Sequence, residues 1–151
     1  MIRYEFTLPY PPSMNHIWRR GKDRNTGKTI TYLTARAKTY RSAVAVRMAE
    51  QGMYRMMIAC PVRILMAIQA PTKQTRDLSN LPKSIEDALT ACGFWLDDSQ
   101  VEDTRTIWAD RWNPELSRVT KRGRVHMIVE ISDADQEIFP GTLDDLGKIG
   151  I

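Results

Sequence analysis

The sequence predicts an α/β domain of the α+β kind, a small mixed sheet with two main helices packed against it. Three observations predict it. Polar and apolar residues alternate near both ends of the chain, an apolar stripe at helical spacing runs through its middle, and the elements follow the order strand, hairpin, helix, strand, helix, strand, strand. A length of 151 residues with 42% apolar and 26% charged content suits one domain with a real core. The domain is expected over residues 1–131, followed by a loosely attached acidic tail over 132–151 that carries Asp133, Asp135, Glu137, Asp144 and Asp145.

The first strand, Arg3 to Leu8, alternates and then stops at Pro9-Tyr10-Pro11-Pro12, which cannot continue a ladder. A polar, glycine-punctuated loop from Gly21 to Lys28 marks a hairpin tip between Trp18 and the stretch Ile30 to Leu33. Thr34 caps a helix expected over residues 35–56, with Val44 and Met48 on one face, Arg36, Lys38 and Arg41 on the other, and Gly52 fraying or ending it. Pro61 opens a buried strand, Val62 to Ile68, and Pro71 begins a polar loop leading to Arg76. Asn80 is read as the N-cap of a second helix with Pro82 in its first turn. Leu81, Ile85, Ala88, Leu89 and Cys92 form its apolar stripe, and Gly93 stops it. Val101 to Trp108 alternates as a strand, a turn forms around Asn113-Pro114-Glu115, and Val125 to Ile131 is the last strand.

Composition narrows the functional classes. No run of about 18 apolar residues exists to span a membrane, and Met1 to Phe6 lacks the basic-then-apolar layout of a secretion signal. The two cysteines, Cys60 and Cys92, show no metal-ligand spacing, and Cys92 reads as a buried thiol on the helical stripe. An intracellular protein is expected. Residues 1–63 carry twelve Lys/Arg against three Asp/Glu, residues 64–126 carry nine of each, and residues 127–151 carry one against six. A basic first part joined to an acid-containing middle points to a phosphate-binding surface beside a metal site, although a solvated basic face accounts for the charge equally well.

The chemistry concentrates in Arg76-Asp77-Leu78-Ser79-Asn80-Leu81-Pro82-Lys83 and in Gly93-Phe94-Trp95-Leu96-Asp97-Asp98-Ser99-Gln100-Val101. An extended Asp77-Leu78-Ser79 would turn Asp77 and Ser79 to one face, to which Asp98 returns after the helix. Hard divalent cations take such oxygen ligands, and magnesium uses one or two carboxylates with water and substrate phosphate. Lys83 adds positive charge for a developing pentavalent phosphate and shares a helix face with Asp87, four residues on. The competing reading is structural: Asp77 as a cap and Asp97-Asp98 as the close of a turn.

Taken together, these motifs resemble the RusA family of Holliday junction resolvases of bacteria and their phages. The likeness runs from residue 4 to about 131, through Leu8-Pro9-Tyr10-Pro11-Pro12-Ser13-Met14-Asn15, the Tyr40-Arg41 helix, both central stretches and Asp87-Ala88-Leu89. It implies a RusA-like fold and a cytoplasmic homodimer that nicks two strands of a four-way DNA junction with magnesium or manganese. Carried over by position, Asp77 and Asp98 match acidic metal-site residues, Asp97 is a supporting acid, and Lys83 matches the lysine required for cleavage. The catalytic set is then Asp77, Lys83 and Asp98, and the metal set Asp77, Ser79, Asp97 and Asp98.

Ser79 stands where the family has its second aspartate. Either the site works with a serine, with Asp87 or Glu86 compensating, or the chain binds junctions and cuts them poorly. For DNA binding the expected residues are Asn15, Arg19, Arg20, Lys22, Arg24, Lys28, Lys73 and Arg76, with a structural ion pair the alternative for Arg76. His16 has no acid partner in sequence and reads as a DNA or loop contact, while His126 reads as structural. Phe94 and Trp95 are read as core or dimer-interface anchors against a junction wedge, and the Met53 to Met57 cluster as packing or dimer surface.

Overall fold

A computed structural model of the chain describes residues 2–13 and 17–131. Its strands are β1 (Ile2–Leu8), β2 (Trp18–Lys22), β3 (Thr29–Leu33), β4 (Val62–Gln69), β5 (Val101–Trp108) and β6 (Arg124–Ile131). The helices are α1 (Ala35–Glu50), α2 (Pro82–Ala91) and the single turn α3 (Ala109–Trp112), with 3-10 turns at Leu78–Asn80 and Asp98–Gln100. A four-stranded sheet runs in the order β1-β6-β4-β5, and β2 pairs with β3 as a separate hairpin. Only β4 and β5 are parallel, the α2 crossover linking them, so the sheet is mixed as predicted.

Register places the core on one face. Ile64 lies opposite Val129 and Met66 opposite Met127, while Phe6 meets Met127 from the other side. These residues, with Val62, Ile68, Leu8 and Val125, share a cluster with Tyr40, Val44 and Met48 of α1 and Ile85, Ala88 and Leu89 of α2. Gln51 fastens α1 to β1: its amide accepts from Thr7 N at 3.0 Å and donates to Thr7 O at 3.1 Å. Phe94 and Trp95, both fully buried, complete this core, with Trp95 Nε1 donating to Thr90 Oγ1 at 2.7 Å. The anchor reading of both aromatics holds, and it places them in the core. The opposite face also buries apolar residues, Leu65, Ala67 and Ile128, around an Arg63–Glu130 ion pair at 4.0 Å. Cys60 and Cys92 are both free thiols.

Several expectations need correction. The first helix ends at Glu50, six residues short of the predicted end, because Gly52 takes a left-handed φ of +76°. The segment beyond it runs beside the end of α2, where Arg55 N, Met57 N and Ile58 N bond to the carbonyls of Cys92, Gly93 and Phe94. Backbone partners outside the helix thus replace the helical ones. Asn80 is not the N-cap of α2. Leu81 holds that position without a side-chain bond, and Pro82 follows in the first turn. Nor is Asp77-Leu78-Ser79 extended, since Leu78–Asn80 winds into a 3-10 turn that Asp77 itself caps. The short helix α3 has no counterpart in the sequence reading. The tail, Asn15 and His16 lie outside the described residues.

Candidate active site

Two turns flank the start of α2. The Leu78–Asn80 turn packs on α2 and β5, and the Asp98–Gln100 turn packs on α2 from the far end of the crossover. In the first, Asp77 Oδ1 accepts from Ser79 Oγ at 2.7 Å and from Ser79 N at 3.0 Å. The serine hydroxyl, then its amide, holds the exposed Asp77 carboxyl below the ordinary aspartate range. Asp77 and Ser79 do sit together, though through a turn and not through strand alternation.

Pro82 opens α2 and sets Lys83 at the entry of the helix, between acids from two elements. Lys83 Nζ lies 2.9 Å from Asp87 Oδ1, one helical turn on, and 2.6 Å from Asp98 Oδ2 across the crossover. These bonds, the one to Asp87 first, raise the ammonium above the usual lysine range, so Lys83 stays charged at any working pH. Glu86 stands beside this cluster, half-buried, and burial pushes its carboxyl up against the opposing pull of Lys83.

The second turn is locked from below. Gln100 Oε1 accepts from Asp97 N at 2.9 Å, while Gln100 Nε2 donates to Ile58 O at 2.7 Å and to Cys60 O at 3.0 Å. This amide fixes where Asp98 meets Lys83, a positioning role that residue type alone did not signal. Its one sequence trace was its place three residues after Asp97, the spacing of a capping box. The exposed Asp97 carboxylate accepts from Ser99 Oγ at 2.6 Å, and that bond first, then the neighbouring Asp98 side chain, holds it below the ordinary aspartate range.

The donors Asp77, Ser79, Asp97 and Asp98 are all oxygens, the chemistry a hard divalent cation selects, and two carboxylates meet what magnesium asks of a protein. Among the described residues no three His, Cys, Asp or Glu side chains converge as a ready-made cage. The residues therefore fit an ion that completes its shell with water and phosphate better than one held by protein alone.

The predicted DNA-binding residues fall into three groups. Arg19, Arg20, Lys22, Arg24 and Lys28 are all exposed along the β2–β3 hairpin. Lys73 is exposed on the loop after β4. Arg76 is more constrained: its guanidinium lies 5.4 Å from the Tyr10 ring centroid and donates to Thr72 Oγ1 at 2.6 Å. These two contacts, to a ring and to a hydroxyl, stand where the structural alternative for Arg76 expected an ion pair. His126 behaves as a structural residue, 2.9 Å from Gln69 Oε1.

Comparison with known proteins agrees with this architecture. The profile of the family described as endodeoxyribonuclease RusA matches residues 9–130. The crossover junction endodeoxyribonucleases RusA of Escherichia coli and of Enterobacteria phage 82 are each 38% identical over 129 residues, covering 85% of this chain and 95% of theirs. The Shigella sonnei protein of the same name is 37% identical over the same span. With the match running through both acidic turns and the helix between them, the chain belongs to the RusA endodeoxyribonuclease family.

Proposed function

We propose that this chain is a structure-selective endodeoxyribonuclease that resolves four-way DNA junctions by metal-dependent paired phosphodiester hydrolysis, in DNA recombination and repair. The observation that carries the proposal is Lys83 held between Asp87 and Asp98, beside the Asp77–Ser79 turn, in a chain of the RusA family. A magnesium or manganese ion held by Asp77 and Asp98, with Ser79 and Asp97 at its margin, would polarise the scissile phosphate and lower the pKa of the attacking water. Lys83, held between Asp87 and Asp98, contributes a fixed positive charge to the pentavalent phosphate. The exposed cations of the hairpin hold backbone phosphates, which position the DNA without reading its sequence. A homodimer would present two such sites to the near-symmetric strands of a junction, which suits paired incisions. The setting for this chemistry is the cytoplasm of a bacterial cell, with the gene carried by the cell or by its phage.

A second reading rests on Ser79. Its hydroxyl is turned into Asp77 at 2.7 Å and brings no charge, which leaves the site one carboxylate short of the family pattern. On that reading the chain binds junctions and cuts them poorly.

Nicking of a labelled synthetic four-way junction with magnesium or manganese, with gel-shift binding in parallel, separates the two. Symmetric nicking by the unaltered protein that is lost in Asp98→Asn supports the resolvase. Tight binding without nicking, rescued by Ser79→Asp, supports the impaired binder. Absence of junction binding in every variant sinks both.

A further inference from the structure

A cavity of about 660 Å³ opens beside Asp77 and lies between the loop after β1, helix α1 and the approach to the active-site turn. Asp77 of the metal site borders it, but the basic hairpin lies outside its lining. Its wall explains the Leu8-Pro9-Tyr10-Pro11-Pro12 stretch, which the chemistry above leaves without a role.

That wall is built to hold still. Tyr40 Oη, from α1, donates to Pro9 O at 3.0 Å, and Ser84 Oγ, from α2, donates to Pro12 O at 2.7 Å. The loop is therefore fastened on both sides of Tyr10. Behind the ring, Gly123 has a left-handed φ of +69°, and a Cβ there would stand 2.7 Å from Tyr10 Cβ and 3.0 Å from Gln69 O. Only glycine lets Tyr10 occupy this place. The Arg76 guanidinium lies over the Tyr10 ring, 5.4 Å from its centroid, and is held by its bond to Thr72 Oγ1. The cavity is thus lined by the fixed Tyr10–Arg76 cation–π pair, a second cation at Arg36, two amide side chains, Gln74 and Asn80, and Asp77.

Those features match a nucleobase. Bases turned out of their stack are held on aromatic rings or guanidinium planes, and Asn and Gln amides pair with base edges. The volume falls within the range of small-ligand sites. Arg36 and Arg76 suit the phosphates on either side of the base, and an occupant that also serves the active site runs along the wall to Asp77. An independent small molecule would have no reason to do so, whereas the strand being cut has to. A branch point also lowers the cost of unstacking, as for any base already poorly paired.

We propose that this cavity receives one nucleotide next to the scissile phosphate, turned out of its stack, and that Gln74, Asn80 and Tyr10 set the sequence preference of cleavage. The inference rests on the junction-nuclease reading and goes beyond it by assigning the base-reading residues.

The test needs no catalysis. Four-way junctions carrying 2-aminopurine at each position near the branch point in turn are mixed with the protein in the presence of EDTA, with gel-shift binding measured on the same junctions. The expected result is a severalfold rise in fluorescence at one position, lost or halved in Tyr10→Leu and in Asn80→Ala, while both variants still bind the junction. In nicking assays, the same variants in the Ser79→Asp background should spread incisions over sites the parent rejects. Arg36→Ala, at an exposed lining position of α1, tests the phosphate contact without disturbing the Tyr10 loop, and should weaken the fluorescence rise and leave folding intact. Tight binding with no fluorescence change at any position would overturn the inference and leave the substrate reading standing. So would an unchanged rise in Tyr10→Leu and Asn80→Ala. No junction binding by the unaltered protein would overturn the substrate reading, and the inference with it.

Discussion

Lys83 Nζ stands 2.6 Å from Asp98 Oδ2, although fifteen residues of chain separate them. The link closes the crossover and joins the beginning of α2 to the turn that leads into β5. Its geometry makes Asp98 and Asp87 a negative seat for a lysine that has to remain charged. Because the folded-state pKa of Lys83 is raised, its contribution to stability is fully present below the unfolded value and is lost only as pH rises through the folded one. That window lies in the alkaline range, so Lys83 adds no pH dependence near neutrality. Lys83→Ala should therefore lower single-turnover nicking by about 100-fold or more at every pH tested, as expected for removal of one transition-state charge. The pair is partly exposed, so thermal stability should fall by no more than about 1 kcal/mol. A variant that nicks normally would remove Lys83 from the mechanism.

Ser79 decides how much activity the site can support. Replacing the hydroxyl by a carboxylate adds an anionic ligand and removes the bond that keeps Asp77 acidic. Ser79→Asp should raise metal affinity by about 10-fold, seen as a lower magnesium midpoint for nicking. Binding to junctions in EDTA should weaken at the same time, because the added charge faces DNA phosphates. In Ser79→Ala the Asp77 carboxyl, released from the hydroxyl, should titrate closer to the ordinary aspartate value in a carbon-detected NMR titration. If Asp77 does not move, the bond between these side chains is not what sets its acidity.

Much of this was legible in the chain, for identifiable reasons. The strands β1, β4, β5 and β6 and the stripe of α2 follow from period and burial, which dominate over short windows. The pairing of Lys83 with Asp87 follows from helical spacing. The end of α1 did not, because Arg55, Met57 and Ile58 exchange helical partners for the carbonyls after α2, a long-range choice that local propensity cannot register. Asn80 failed as a cap for a related reason: the chain spends that turn on a 3-10 bend capped by Asp77, and Pro82 starts α2 without a side-chain cap. Beyond its spacing from Asp97, Gln100 gave no sign of a positioning role, because its partners, Ile58 O and Cys60 O, come from a segment about 40 residues earlier.

His126 gives a pH-dependent test of the fold. Burial holds its imidazole below the usual histidine range, aided by Arg124, and Gln69 is its partner. A depressed folded-state pKa means that the unfolded chain binds the proton first as pH falls. Its contribution to stability is therefore complete above the unfolded value of about 6.5 and declines as pH falls from there through the lower folded one. The melting temperature of the unaltered protein should drop more over that interval than that of His126→Gln. Parallel curves for the two would mean that this histidine titrates alike in both states.

The hairpin supplies a separable grip on DNA. Arg20 and Lys22 pair with Thr31 and Thr29, and Arg19 with Tyr32, so the ribbon shows cations on both faces, outside the four-stranded sheet. Because their side chains are exposed, replacing Arg19, Arg20 and Lys22 together by alanine should change unfolding stability by less than about 0.5 kcal/mol. Taking one cation away from a DNA phosphate should flatten the slope of log binding constant against log salt concentration by about 0.9, so the triple variant should show a slope shallower by up to about 3 units. Affinity at low salt should fall for every junction sequence alike, since phosphate contacts carry no base information. A triple variant with the parental salt slope would show that the hairpin does not touch the DNA backbone. Weaker binding to some junction sequences and not others would instead give the hairpin a part in base reading.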